Sequence, residues 1–256
     1  MDCQANQLVL PLSHALSNPL PPYQVRVSSR AKHVSIKVSW QGAVEVVIPP
    51  GFDRRDIPEI LQRRQGWIHK TINRFAADRQ SLSPELIEDR PTQIVLRSPS
   101  ESWQVNYQGE ACNHLLIRQT KPKHLTVAGG VTDIVACQSA LRSWLNRKAI
   151  AEFTPWFHKV SQEVNLSFNK LSIRGQKTRW GSCSTQKNIN LNYKLLFLPE
   201  SLVRYIFIHE LCHTVHMNHS KAFWKLVGNK EPNYQHWKNE LKHAWRYVPR
   251  WVDGFL

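Results

Sequence analysis

The chain is short of acid. Its 256 residues carry 19 Asp and Glu against 34 Lys and Arg, a formal charge of +15 at neutral pH. Such an imbalance favours polyanionic partners, chiefly nucleic acid, ahead of any base-specific reading. A merely solubilising surface is the plainer alternative. Long apolar runs are also missing. None approaches the ~20 residues that a membrane span requires, so no membrane helix is expected. Residues 1–22 lack a basic stretch followed by a long apolar core, so no secretory signal is expected either. The five cysteines (Cys3, Cys112, Cys137, Cys183, Cys212) are odd in number, scattered and free of any C-x-x-C pair. That excludes a disulfide framework and suits a reducing, cytoplasmic setting. There is no internal repeat and no low-complexity tract.

What is present is enough for a proper core. A hydrophobic content of 41% with ten Trp describes a folded protein, either one large domain or two small ones. Residues 1–22 carry four Pro and little periodicity, as a poorly ordered leader does. From Tyr23 to Ile48 apolar residues alternate with polar ones, interrupted by Ser28-Ser29-Arg30 and Gln41-Gly42. This predicts strands of an antiparallel meander. Asp56-Ile57-Pro58 opens a helix running to about Phe75. Short strands are predicted around Ile94–Leu96, Trp103–Tyr107, Leu115–Ile117 and Leu125–Val127, and a long helix from about Asp133 to Val164 that Pro155 kinks or resets. Leu171–Ile173 and Ile189–Tyr193 are further strand candidates. Pro199 and Glu200 launch a helix, and a last helical region covers about Ser220 to Ala244.

The helix after Pro199 holds the most informative run, His209-Glu210-Leu211-Cys212-His213, with His219 six residues further on. Residues four apart on an α-helix share a face, so His209 and His213 can aim ring nitrogens at one ion with Glu210 beside them. A helix break around Met217 and Asn218 would return His219 as a third ligand. Three protein ligands leave one tetrahedral position for water, the mark of a catalytic rather than a structural Zn²⁺. Val203, Ile206, Phe207, Ile208, Leu211 and Val215 make the helix apolar nearly all round, hence buried. Buried imidazoles and a carboxyl need compensation, which a metal supplies. Hydrogen-bonded core histidines are the competing interpretation. Glu210 would accept a proton from the attacking water and pass it to the leaving nitrogen.

Before this helix, residues 164–194 contain six cations (Lys170, Arg174, Lys177, Arg179, Lys187, Lys194) and no acid. Arg179, Tyr193 and Tyr234 are candidate donors to an oxyanion. Trp180 and Cys183 are expected in the cleft wall. The segment Ile189–Tyr193 is either an interior strand or an edge strand able to receive an extended peptide. Gly175 to Ser182 superficially suggests a phosphate loop, but its glycine spacing is one residue too long and no Lys follows Gly181.

Three segments together resemble the YgjP-like family of predicted zinc metallopeptidases, relatives of the SprT and WLM zincins. They are Tyr23–Phe75 with its Val-Ile-Pro-Pro-Gly, the run Thr178-Arg179-Trp180-Gly181-Ser182-Cys183-Ser184, and His209–Trp224, which reads HELCHTVHMNHSKAFW. The resemblance spans nearly everything from Tyr23 to about Trp245. It implies His209, His213 and His219 as ligands, Glu210 as the acid/base, and the Arg-Trp-Gly-Ser-Cys run in a hairpin-like segment before the active helix. The spacing also coincides with the metzincin frame, but His216 stands where that frame has Gly and no Met-turn follows. His216 is expected in a surface or supporting role rather than as a fourth ligand.

The expected fold is α+β: an antiparallel β-rich N-terminal region with helices (residues 23–130), then a minimal zincin-like catalytic domain (131–256). The expected function is zinc-dependent hydrolysis of protein or peptide bonds, with recruitment to DNA by the basic surface. A metal-dependent nucleotide or phosphate-ester hydrolase is one alternative. A zinc-stabilised nucleic-acid-binding module without catalysis is the other.

Overall fold

The computed structural model describes residues 20–39, 42–80, 88–109 and 114–253. Most of the expected leader, with Cys3 and Cys112, lies outside them. The fold is α+β, with seven α-helices and three small sheets among the described residues. None of these helices is long and apolar enough to cross a membrane. The chain forms two compact units that part between Phe75 and Ala76 rather than at residue 130.

The first unit holds strands β1 (Tyr23–Val27), β2 (Ser35–Val38) and β3 (Val44–Ile48), helix α1 (Ile57–Arg63) and the start of α2 (Gln65–Gln80). The sheet order is β1-β3-β2, with β1 parallel and β2 antiparallel to β3. This corrects the expected antiparallel meander. Val44, Val46, Val47 and Ile48 make β3 almost wholly buried, and a strand apolar on both faces takes the central place, with a neighbour on each side. Its core unites Val44, Val46 and Ile48 with Ile57, Leu61 and Ile68. The expected single helix over 57–75 is two, because Arg64 leaves the helical ladder at φ −106° and ψ 4°. Gly66, a weak helix former, comes just after it.

The second unit opens with β4 (Gln93–Leu96), β5 (Glu101–Gly109), β6 (Leu115–Lys121) and β7 (His124–Gly129), in the order β4-β5-β7-β6. Helix α3 (Ile134–Glu163) starts where Asp133 accepts a hydrogen bond from the Ala136 N–H, an N-cap that satisfies one orphan donor. It continues through Pro155 as one helix, without resetting. Pro155 and Ala151, whose carbonyl loses its i+4 donor, are both exposed, so solvent can serve that carbonyl. The Trp103 and Trp144 rings meet edge-on at 4.9 Å, and the Lys148 ammonium lies 2.9 Å from the Glu101 carboxylate. These contacts bind the β4–β7 sheet to α3, which is why residues 93–129 share a unit with the C-terminal half of the chain.

Strands β8 (Lys170–Arg174), β9 (Gly181–Cys183) and β10 (Asn188–Asn192) form the third sheet in the order β8-β10-β9. Strand β10 is interior, parallel to β8 and antiparallel to β9, so the edge beside the next helix is β9. Helix α4 (Glu200–Cys212) buries Leu202, Val203, Tyr205, Ile206, Phe207, Ile208 and Leu211. Phe207 meets Phe153, Phe157 and Trp156 of α3 edge-on at 5.7, 5.0 and 4.8 Å. Burying such a ring contributes about 1.5–3 kcal/mol, and each edge-on pair roughly 0.5–1.5 more. Thus α4 is held rigidly by α3. Helices α5 (Lys221–Lys230), α6 (Tyr234–Leu241) and α7 (Arg250–Asp253) complete the unit. Pro232 lies between α5 and α6, where a continuous helix would need its missing N–H.

Candidate metal centre

Helix α4 ends at Cys212, not around Met217 and Asn218 as expected. Tight bonds close it: the Val215 and His216 N–H groups both donate to the Cys212 carbonyl, at 3.1 and 3.0 Å. The Thr214 hydroxyl donates to the Leu211 carbonyl at 2.7 Å. Such local bonds satisfy the last carbonyls of a helix and turn the chain out early. His213 still stacks its backbone on His209, with its N–H 3.3 Å from that carbonyl. Ser220 restarts helix on the far side, its hydroxyl accepting from the Phe223 N–H at 3.3 Å. His219 is thereby fixed between a helix end and a helix start.

The result is one cluster. The Nε2 atoms of His209 and His219 lie 3.1 Å apart, and one nitrogen from each of His209, His213 and His219 lies within 4.8 Å of the others. Two imidazole nitrogens on one tetrahedral zinc, at 2.0–2.1 Å each, stand about 3.3 Å apart. Phe223, fully buried, underlies all three rings, with centroids 5.0, 4.4 and 4.9 Å from those of His209, His213 and His219. Trp224 stacks on His219 at 5.4 Å. The Nδ1 of His213 lies 3.0 Å from the His216 carbonyl. That contact calls for an N–H on Nδ1 and leaves the Nε2 lone pair free for a metal. His216 thus supports the cluster through its backbone.

Burial, with His213, His219 and Lys238 nearby, pushes the His209 pKa down to about 3. Burial lowers that of His213 as well. Both rings are therefore neutral at physiological pH, as ligation requires. The donor set fits a divalent transition metal.

Glu210 sits next to this cluster and is 6% exposed. Burial raises its pKa to about 8, with the Arg179 charge pulling the other way. Its Oε2 is buried without a hydrogen-bond partner among the described residues. The carboxyl lies against Gly181 of β9: a Cβ there would stand 2.6 Å from Glu210 Oε1 and 2.7 Å from its Cγ. No side chain fits, which explains the glycine in Arg-Trp-Gly-Ser-Cys. Asn192, fully buried, holds the loop before β9. Its side-chain amide donates to the carbonyls of Gln176 and Arg179 at 2.8 and 2.9 Å, and its carbonyl oxygen accepts from the Lys194 N–H at 3.1 Å. Gly181 and Asn192 were absent from the sequence-based candidates. The only signal for either was the motif glycine itself.

Arg179 is exposed, and its charge reaches Glu210. Tyr193 is buried with its ring against Gly175, where a Cβ would stand 2.7 Å from Cε1. Tyr234 stacks on Trp224 at 5.6 Å. Trp180 is buried and stacks on Trp245 at 4.2 Å. Burial and the Glu210 charge push the Cys183 thiol up to about 11, so it stays protonated and ligates poorly. Of the six cations in 164–194, five are exposed. Lys194 is 3% exposed, its ammonium 5.0 Å from the Trp245 ring centroid. It adds nothing to a basic surface.

An imidazole and a carboxyl from the last turn of buried α4, a second imidazole at its cap and a third from the turn beyond thus form a cluster able to hold a metal ion. A family model described as "YgjP-like, metallopeptidase domain" matches residues 32–244. The chain belongs to this YgjP-like family. No curated protein matches. Among solved structures, the crystal structure of the metallopeptidase zymogen of Pyrococcus abyssi abylysin is similar. It is 25% identical and covers 33% of this chain and 87% of its own, with a TM-score of 0.30.

Proposed function

We propose that the protein is a zinc-dependent peptidase in which His209, His213 and His219 hold the ion and Glu210 is the general base. One observation carries this reading: three imidazoles converge within 4.8 Å beside a buried carboxyl that has an unpartnered oxygen. Zinc bound there supplies Lewis-acid polarisation and a lowered pKa for water. Glu210 supplies the proton acceptor. A carboxyl raised to about 8 lies near working pH, where proton transfer in both directions is efficient. Arg179 is the better candidate for the oxyanion, being exposed next to Glu210 while Tyr193 is buried. The edge strand β9 offers its free backbone to an extended substrate, a part that Ile189–Tyr193 would have played had it lain at the edge.

The reading also includes recruitment to nucleic acid through the five exposed cations of 164–194, and a cytoplasmic setting in which Cys137, Cys183 and Cys212 remain free thiols. The test is metal analysis combined with cleavage of a protein substrate. Wild type is expected to hold about one zinc per chain. Glu210→Gln should keep the metal and lose cleavage at least about 100-fold, while His209→Ala should lose both. Cleavage stimulated by DNA at low salt supports the recruitment. Cleavage unaffected by Glu210→Gln overturns the general-base assignment, and release of phosphate from nucleoside triphosphates without peptide cleavage overturns the peptidase.

A further inference from the structure

A groove of about 710 Å³ lies between α5 and α6, and one wall of it is Trp224. The same indole reaches the metal centre through its stack on His219. Four lysines line the groove: Lys221 and Lys225 from α5, Lys238 from α6 and Lys242 from its C-cap. All are solvent-accessible, and among the described residues none is paired with a carboxylate. Each pair is spaced one helical turn apart, the arrangement in which like charges repel and weaken a helix. Two adjacent helices therefore carry a repulsive cost at the same place, offset in part by the Trp224 face beneath Lys238 and by the Asn239 side-chain oxygen, which accepts from Lys242 at 2.9 Å. That cost is relieved when something anionic lies between them.

The aromatic floor distinguishes between anions. Trp224 has His219 stacked at 5.4 Å, Tyr234 at 5.6 Å and the Lys238 ammonium 3.9 Å from its ring centroid. Gly228 permits this closure, since a Cβ there would already stand 3.3 Å from the Tyr234 ring. Single-stranded nucleic acid gains its affinity by stacking bases on open aromatic faces, and the faces of Trp224 are taken by His219, Tyr234 and Lys238. Lysines around an already stacked indole suit carboxylates on a flexible chain.

Resting on the peptidase reading above, we propose that the α5–α6 groove is a substrate subsite that binds an acidic segment of the protein chain being cleaved, through Lys221, Lys225, Lys238 and Lys242. The acidic segment is held to one side of the metal centre, and the bond to be broken lies on the other side of Trp224. The groove therefore selects protein substrates rich in Asp and Glu a few residues from the cleavage point.

The experiment uses full-length Glu210→Gln protein and two labelled peptides of about ten residues, identical except that a run of Glu in one is Gln in the other. Fluorescence anisotropy should show the Glu peptide binding about tenfold more tightly at low salt, with the difference shrinking as salt rises. Lys225→Glu with Lys242→Glu should abolish the preference. A control with the same charge change elsewhere, Arg54→Glu with Lys159→Glu, should retain most of it. If the reversal impairs folding, Lys225→Gln with Lys242→Gln reads the same loss. Equal binding of the two peptides, or equal effects of groove and control variants, overturns the proposal. Groove variants that weaken a single-stranded oligonucleotide more than the Glu peptide overturn it in favour of nucleic acid. Binding is read without hydrolysis, so the two readings fail separately. Preference for the Glu peptide with no cleavage by wild type overturns the peptidase and supports the groove, while cleavage indifferent to acid does the reverse.

Discussion

The imidazole side and the carboxylate side of the centre are built in different ways. His209, His213 and His219 come from one short stretch, placed by a helical turn, a tight helix end and the Ser220 cap. Glu210 belongs to the same helix, but its carboxyl is confined by β9, and β9 in turn by the Asn192 clamp on the preceding loop. One half is local and self-sufficient. The other depends on residues well upstream in the chain, and a change there can displace the carboxyl while the three imidazoles stay in place. On the proposed reading, affinity for metal and the power to use it are therefore separable.

The largest expected effect separates the halves by pH. In the unfolded chain Glu210 ionises near its ordinary 4.5, but in the folded protein only near 8. Folding thus favours the protonated form, and the Glu210 contribution to the stability of the metal-free protein is lost as pH rises from about 4.5 to 8, while the depressed His209 acts in the opposite direction in wild type and variant alike. Glu210→Gln escapes this loss. The stability gap in favour of the variant should widen by roughly 4 kcal/mol between about pH 4 and pH 8. Urea titrations of both proteins after chelation would measure it, and a pH-independent gap would show that the carboxyl is not desolvated.

Next comes Gly181→Ala. The added methyl must displace Glu210, at a cost of about 1–3 kcal/mol. Cleavage should fall by about tenfold or more with zinc content unchanged. Loss of zinc in this variant would show that the halves are not independent. The smallest effect should be that of Ser220→Ala, which removes the α5 cap and costs about 1 kcal/mol. Here the expected change is weaker retention of metal by His219 in a chelator competition, with the activity of the loaded protein near normal.

The same division governs what could be read from the residues. The imidazole set was legible because an i, i+4 spacing on a helix carries its geometry with it, and the buried character of α4 follows from its apolar sequence. The long strand β5 and the helix α3 were legible because their periodicity is equally local. Other features were not. Strand β9 is only Gly-Ser-Cys, too short to show alternation; the resemblance alone foretold its hairpin, with β10 as its antiparallel partner, and its importance lies in a neighbour far along the chain. The parallel pairing of β1 with β3 was hidden because alternation reveals a strand but not its partner or direction. The early end of α4 was hidden because Thr214 and the turn after Cys212 close the helix through bonds that the apolar pattern does not record. Phe223 and Trp224 were visible as part of a motif, but their place beneath and beside the histidines was not.

By itself the order of residues determined a buried helix presenting two imidazoles and a carboxyl, a third imidazole just beyond, and a strongly cationic chain. Those properties arise from backbone geometry over a few turns and from composition. Only tertiary structure decided which strand borders the carboxyl, that Asn192 holds the loop before it, that Lys194 is hidden, and that four other lysines line a groove beside Trp224. Contacts between distant segments depend on how whole elements pack, and no local pattern encodes that.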